Sequence, residues 1–314
     1  TQHSVRELRS TGIQPDVIVC RSDYPVEDGI KDKIAVHCDV RRENVVSLET
    51  VDTVYEVPIL LEEEGLGDVV IRSLSLPTSG RDLVEWRGMV EALKGQEQTL
   101  SIAVVGKYVD LPDSYISVKE ALLHAGLSHE RNIDIRWVRA EDVEEHGPEE
   151  FLSSACGIVV PGGFGPRGVE GMVTTVKYAR DYKIPYLGLC LGMQVMVIEV
   201  ARDTLGLGTA NSAEFDSLTD DPVIGLMPDQ KDVTQMGGTM RLGIYPCKVE
   251  EGSWAARAYG EEVVQERHRH RFEVNNAYRE QFEAVGFWPT GLSPDGSLVE
   301  IMEMSDQAFM VGVQ

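Results

Sequence analysis

From Leu100 to Ala201 the chain alternates short, largely apolar runs with amphipathic stretches, and this alternation constrains the fold more than any other feature. SIAVVGKY (101–108), IDIRWVRA (133–140), GIVVPGG (157–163) and PYLGL (185–189) read as strands, and 113–126, 168–182 and 191–201 as helices. Strands that return through helices at this spacing imply a parallel sheet covered on both faces, an α/β architecture. Residues 209–250 are loop-rich. Residues 240–302 carry short strands (TMRLGIYPCKV, HRFEVNN, FEAVGFW, SLVEIMEM) that suggest an antiparallel extension at the sheet edge.

The first hundred residues have a different texture. Residues 4–11 read as a short helix ended by Gly12, and DVIVC (16–20) as a buried strand entering Arg21-Ser22-Asp23. KIAVHC (33–38) is strand-like, VVSLET (45–50) ends in a polar loop, and Tyr55 to Leu61 opens a helix through Pro58 that runs to the Gly65–Gly67 break. Residues 81–94 form an amphipathic helix with Leu83, Trp86, Val90 and Leu93 on one side, and GQEQT (95–99) is a polar hinge. The expected organisation is a domain at 1–94, a linker at 95–99 and a second domain at 100–314. The chain opens on Thr1 and stops inside what reads as a buried strand, AFMVGVQ (308–314), so both ends are expected to be cut.

Composition narrows the functions. A chain of 314 residues with 42% hydrophobic residues buries one large core or two ordinary ones. Lys plus Arg number 29 against 52 Asp plus Glu, a formal charge of −23, which argues against a nucleic-acid surface and against anionic lipid. Only 9 of the cations are lysines, and a carboxylate-rich, lysine-poor surface suits a high-salt cytosol. Cys20, Cys38, Cys156, Cys190 and Cys247 are widely spaced, with no C-x-x-C pair, as in a reducing cytoplasm. No run has the roughly 18 apolar residues of a membrane span, and the first twenty residues lack the apolar core of a signal peptide.

The sharpest local pattern is Gly188-Leu189-Cys190-Leu191-Gly192, at a strand end and a helix start: a nucleophile elbow with Cys as the nucleophile. Glycines allow the sharp turn, and the helix aims its first N–H groups at the sulfur, which favours thiolate and supplies oxyanion donors. A buried cysteine flanked by packing glycines has the same pattern. Pro161-Gly162-Gly163-Phe164-Gly165 follows a strand one βα unit earlier, so both turns fall on the carboxyl edge where ligands bind. A thiol nucleophile also needs a base. His268 and His270 lie in a basic island, Glu266 to Arg271, where three arginines lower an imidazole pKa and leave it no carboxylate partner on the same side, a poor base but a good anion site. A strand with a solvated charged face is the plainer reading. His3, His37, His124, His129 and His146 have no metal-like spacing and read as surface or cap residues.

PGGFGPRGVEGM, YLGLCLGMQ, NSAEF, GGTMRLG and ERHRHRFEVNN, in that order, closely resemble the glutaminase domain of the CTP synthase family, within the class I (triad-type) glutamine amidotransferases. TQHSVRELRSTGIQPDVIVCRSD (1–23) resembles the close of that family's synthetase domain. The resemblance spans nearly the whole chain. It implies a flavodoxin-like amidotransferase core preceded by the C-terminal part of a P-loop-type α/β synthetase domain. It implies a cytoplasmic ligase that aminates UTP to CTP with ATP, Mg²⁺ and ammonia from glutamine, assembles as a homotetramer and takes GTP as activator. By the same resemblance Cys190 is the nucleophile, Gly163 and Leu191 form the oxyanion hole, and Gly192, Met193, Gln194, Glu214 and Arg271 complete the glutamine site. Arg271 would pair with the substrate α-carboxylate. Thr1, Gln2 and Lys33 match UTP and CTP contacts, Glu49, Thr50 and Val51 match an adenine-contacting stretch, and Arg167 in GGFGPRG matches the lid on which GTP acts. Two other readings carry the same motifs, a different triad-type amidotransferase and a catalytically dead nucleotide-sensing relative.

The departures set further expectations. The family's His-Pro-Glu motif lies just beyond a strand like AFMVGVQ, its phosphate-binding loop and Mg²⁺ ligands precede Thr1, and MPDQKDVTQM (227–236) is shorter than in many relatives. The chain alone is therefore expected to make no CTP and to hydrolyse glutamine barely or not at all, with Cys190 still open to alkylation by a glutamine-like electrophile. Turnover that disappears on His268→Ala or His270→Ala would make the basic island catalytic.

Overall fold

The computed structural model describes residues 1–78, 80–226, 240–307 and 309–314. The expected contacts of MPDQKDVTQM, and Gly237 to Thr239 of GGTMRLG, lie outside the described residues. Two compact units divide between Gln96 and Glu97.

The first unit contains α1 (Gln2–Ser10), β1 (Ile18–Ser22), α2 (Asp28–Cys38), β2 (Val45–Glu49), α3 (Val57–Glu63), α4 (Leu66–Leu74) and α5 (Val84–Lys94). Strands β1 and β2 pair in parallel, Ile18 opposite Val45 through Ser22 opposite Glu49. A small cluster of Val5, Ile18 and Cys38 holds α1 and α2 to β1. Residues 33–38 are helical, not a strand. Ala35 and Cys38 face inward while Val36 is exposed, and Asp39 ends α2 in the left-handed region at φ 51°. A run as short as Ile34-Ala35-Val36 does not distinguish the two periods.

The second unit runs β3 (Thr99–Gly106), α6 (Ile116–Ser128), β4 (Asn132–Arg139), α7 (Ala140–His146), α8 (Glu149–Leu152), β5 (Gly157–Val160), α9 (Val169–Asp181), β6 (Tyr186–Leu189), α10 (Leu191–Glu199), β7 (Asn211–Ser212), β8 (Pro222–Leu226), β9 (Arg241–Val249), α11 (Trp254–Tyr259), β10 (Val263–His270), β11 (Phe272–Val274), α12 (Arg279–Ala284), β12 (Phe287–Leu292), β13 (Val299–Met304) and β14 (Met310–Val313). Nine strands form one sheet in the order β10-β9-β12-β13-β14-β6-β5-β3-β4. Its parallel part, β4-β3-β5-β6-β14, has the 2-1-3-4-5 order of flavodoxin-like folds, as the strand and helix alternation implies. The remaining pairings are antiparallel, the expected edge extension. Every residue of α10 is buried, Gln194 and Glu199 included, so this helix runs through the core with no solvent-facing side.

FEAVGFW does not form one strand: α12 continues to Ala284 and β12 begins at Phe287, with Gly286 at φ 79° making the turn. HRFEVNN is also interrupted. Strand β10 belongs to the large sheet and β11 to a three-stranded sheet, β11-β8-β7, so Arg271 is the single residue at which the chain changes sheets.

Candidate active site

The carboxyl ends of β3, β5 and β6 lie side by side and carry Lys107, the Pro161–Gly165 turn and Cys190. Cys190 has φ 52° and ψ −102°, a conformation that costs an L-residue about 1–3 kcal/mol and persists only where its surroundings over-determine it. Here they do. The Cys190 N–H donates to the Val313 carbonyl of β14 at 2.7 Å, and the Cys190 carbonyl accepts the Gln194 N–H at 3.1 Å. Both glycines of the motif are required by close approach. A Cβ on Gly188 would meet the Gly192 carbonyl carbon at 2.5 Å, and one on Gly192 would meet the Val160 carbonyl oxygen at 2.0 Å. The elbow thus presses β6, α10 and β5 together at backbone distance.

The Leu191 N–H points at the sulfur and lowers its pKa, as expected of a helix start. Burial outweighs it, and the carboxylates of Glu214 and Glu273 add to the rise, so the thiol is pushed up to about 11. The helix start acts in the expected direction, but burial opposes it, and with its thiol pushed up Cys190 needs a base to react. Gln314 Nε2 lies 3.7 Å from Sγ.

Cys190 opens into a cavity of about 360 Å³ lined by Gly163, Phe164, Gln194, Ala213, Glu214, Met240, His270, Arg271 and Phe272. One carboxylate, Glu214, and one guanidinium, Arg271, stand on its wall, the pairing that suits the ammonium and carboxylate of an amino acid. Glu214 Oε1 accepts the Gly165 N–H at 3.1 Å, which ties the glycine turn to the NSAEF segment. Gln194 Nε2 donates to the Phe272 carbonyl at 3.2 Å and to Gln314 Oε1 at 3.3 Å. Leu191, Gly192 and Met193 are buried and do not line the cavity, and the Met193 side chain packs on Gly312 of β14. Arg167 pairs with Glu141 and donates to the Lys107 carbonyl at 2.8 Å.

Lys107 went unmarked in the sequence. It is buried, and its Nζ donates to the carbonyls of Phe164 (3.4 Å) and Gly165, pinning the turn that carries Gly163. Burial lowers its pKa to about 8. Its only sequence signal is a charged residue directly after the buried run AVVG.

The basic island also differs from expectation. Arg267 and Arg269 are exposed on β10, while the alternate residues His268 and His270 face inward. There they do have carboxylate neighbours: His268 Nε2 is 3.7 Å from Glu300 and His270 Nδ1 is 3.4 Å from Glu273. Both imidazole pKa values fall, His270 to about 3, and burial is the main cause.

In the first unit Thr1 precedes α1, Gln2 and Lys33 are exposed, and Lys33 sits mid-way along α2. Glu49 ends β2; Thr50 follows it, its Oγ1 donating to Asp23 at 2.8 Å, and Val51 is half-buried at the same carboxyl edge. Among the described residues no group of three or more His, Cys, Asp or Glu is placed to hold a metal ion.

The class-I glutamine amidotransferase family model matches residues 110–314, and that of the CTP synthase N-terminus matches residues 1–76. A CTP synthase from Dehalococcoides mccartyi is 56% identical over 314 residues, 100% of this chain and 58% of that protein. One from Roseiflexus sp. is 56% identical over 315 residues, 100% of this chain and 57% of that protein. Among solved structures, the glutaminase domain of Trypanosoma brucei CTPS with bound acivicin matches with a TM-score of 0.64 at 38% identity, covering 68% of this chain and 84% of that one. The chain spans less than two thirds of the length of the curated relatives it matches. It belongs to the class-I glutamine amidotransferase family, in the group of the CTP synthase glutaminase domains.

Proposed function

We propose that the second unit releases ammonia from glutamine and that the first unit is the closing part of a synthetase domain, which uses that ammonia to aminate UTP to CTP with ATP. The observation that carries the reading is Cys190, an L-residue held at φ 52° at the mouth of a cavity walled by Glu214 and Arg271. The match of residues 1–76 to the CTP synthase N-terminus supports the synthetase half.

In this reading Arg271 takes the α-carboxylate of glutamine and Glu214 its ammonium. Sγ attacks the side-chain amide carbon as its proton passes to a base, and the N–H groups of Gly163 and Leu191 hold the oxyanion. The C–N bond breaks, the nitrogen takes a proton and leaves as ammonia, and water cleaves the thioester to glutamate and free thiol. A base carried on a segment following β14 would arrive beside Sγ, because β14 runs parallel to β6 with Val313 opposite Leu189. In the synthetase half, ATP phosphorylates the UTP 4-oxygen and ammonia displaces the phosphate. Thr1, Gln2 and Lys33 would contact UTP or CTP, and Glu49, Thr50 and Val51 the adenine of ATP. Mg²⁺ would accompany the nucleotides, but among the described residues no group of three or more His, Cys, Asp or Glu is placed to hold it. GTP activation through Arg167, a cytoplasmic setting and a homotetramer complete the proposal. No helix among the described residues is long and apolar enough to cross a membrane.

The test is CTP formation from UTP and ATP, with either glutamine or ammonium as nitrogen source, in the protein that carries this chain. Cys190→Ala should cut the glutamine reaction by more than about a thousandfold and leave the ammonium reaction intact. Glutamine-dependent synthesis that survives the substitution would overturn the reading.

A further inference from the structure

A buried polar chain runs from the nucleophile to a pair of histidines that the proposed chemistry does not use. The Phe272 carbonyl, on the cavity wall, lies within hydrogen-bond reach of two donors: Gln194 Nε2 from α10 at 3.2 Å and His270 Nδ1 from β10 at 3.2 Å. Gln194 also donates to Gln314, which in turn contacts the sulfur of Cys190. On the other side, His270 Nε2 is 3.0 Å from His268 Nδ1. Both imidazoles are only 3% exposed, so water does not substitute for these partners.

The donor and acceptor roles follow from chemistry. A carbonyl only accepts, so the proton on His270 sits on Nδ1. Burial keeps that ring neutral, and its Nε2 is therefore a bare acceptor. His268 must then donate from its own Nδ1, which leaves its Nε2 bare. That bare nitrogen faces Glu300 Oε2 at 3.7 Å, beyond hydrogen-bond range, as two acceptors should be. Glu300 is itself engaged by Arg241, Nη2 to Oε1 at 2.7 Å and Nη1 to Oε2 at 3.0 Å, and Arg241 packs over the Tyr245 ring.

We infer that His268 and His270 form a directional hydrogen-bond relay, His268 Nδ1–H to His270 Nε2 and His270 Nδ1–H to the Phe272 carbonyl, that positions the Arg271–Phe272 rim of the glutamine cavity. They are positioning residues. The chain changes sheets at Arg271, so β-ladder pairing is interrupted at this residue, and the relay supplies a constraint on the carbonyl that follows it. The inference rests on the glutamine reading of the cavity.

The experiment alkylates Cys190 in this chain with a chloromethyl ketone analogue of glutamine, in which the S–C bond forms as chloride leaves and the thiol proton goes to solvent. Iodoacetamide, which lacks the amino-acid group, is the parallel reagent. In the wild type the ketone should saturate. His268→Leu, which fills the space but cannot donate, should raise the half-saturating ketone concentration fivefold or more while the maximal rate and the iodoacetamide rate stay within twofold. His268→Asn, whose Nδ2 takes the place of Nδ1, should return the half-saturating concentration to within twofold of wild type. Equal behaviour of the Leu and Asn variants overturns the relay. A wild-type ketone reaction that does not saturate, beside normal iodoacetamide alkylation, overturns the glutamine reading and the relay with it. Should the Leu variant not fold, ¹⁵N-edited NMR of the wild type decides: both rings are expected as neutral Nδ1–H tautomers, and an Nε2–H tautomer on His270 refutes the assignment.

Discussion

Both units carry exposed ion pairs, but among the described residues the second also encloses charges in its core. In the first, a small cluster of Val5, Ile18 and Cys38 is surrounded by ion pairs with at least one well-exposed member, such as Arg42 with Asp28 and Asp32, Arg81 with Glu62 and Asp68, and Arg87 with Glu63. In the second, a core reaching from Ala103 to Met310 encloses charges with almost no solvent contact, including Glu199 facing Arg180 and Glu300 facing Arg241. Exposed pairs contribute little and are screened by salt, so the first unit gains solubility from them more than rigidity. Buried pairs cost desolvation and return it as fixed geometry, which a catalytic site needs and a surface does not.

The hardest way to break this contrast is at the backbone. Gly192→Ala places a Cβ 2.0 Å from the Val160 carbonyl oxygen, with no flexible side chain to yield. The second unit should lose more than about 4 kcal/mol, and hydrogen exchange read by mass spectrometry should show β5, β6 and α10 unprotected while α1 to α5 keep wild-type rates. Uniform loss of protection along the chain would deny the independence of the units.

Removing a buried charge is next. Arg241→Leu strands Glu300 and is expected to cost about 3–5 kcal/mol, measured as the drop in the urea midpoint of the second unit. A cost below about 1 kcal/mol would place this pair with the exposed ones.

The smallest effect belongs to the first unit. Glu64 accepts from Lys31 Nζ at 2.7 Å and from the Ser47 N–H, and the Lys31 bond, the largest cause, holds its carboxyl below the ordinary range. Because the folded pKa lies below the unfolded one, the stabilisation is present above pH about 4.5 and is lost as pH falls through the folded value. Between pH 5 and pH 3 the unfolding free energy of the first unit, read from urea titration, should fall further in wild type than in Glu64→Gln, by well under about 1 kcal/mol given the exposure of the carboxylate. Identical pH profiles would remove Glu64 from the account.

What the sequence made legible was local or periodic. Gly188 to Gly192 and Pro161 to Gly165 are motifs of five consecutive residues, and the strand and helix alternation after Leu100 carries the parallel core. KIAVHC misled because a short apolar run has no decisive period, and tertiary packing of Ala35 and Cys38 settled it as helix. The state of the Cys190 thiol was illegible for another reason. Its ionisation depends on burial and on Glu214 and Glu273, which approach only when distant strands close around the elbow. The histidine face of β10 was hidden in the same way, since Glu300 joins it from β13.

Strand β14 has a consequence for how the chain is made. It supplies the carbonyl of Val313 to the Cys190 N–H, and Gln314, the residue after it, lies 124 positions after the cysteine. Synthesis runs from the N-terminus, so β6 and α10 leave the ribosome long before their neighbour exists. Until β14 is threaded between β13 and β6, the Val313 carbonyl that accepts the Cys190 N–H is missing, so the constraints on the strained conformation of Cys190 are completed only late in synthesis.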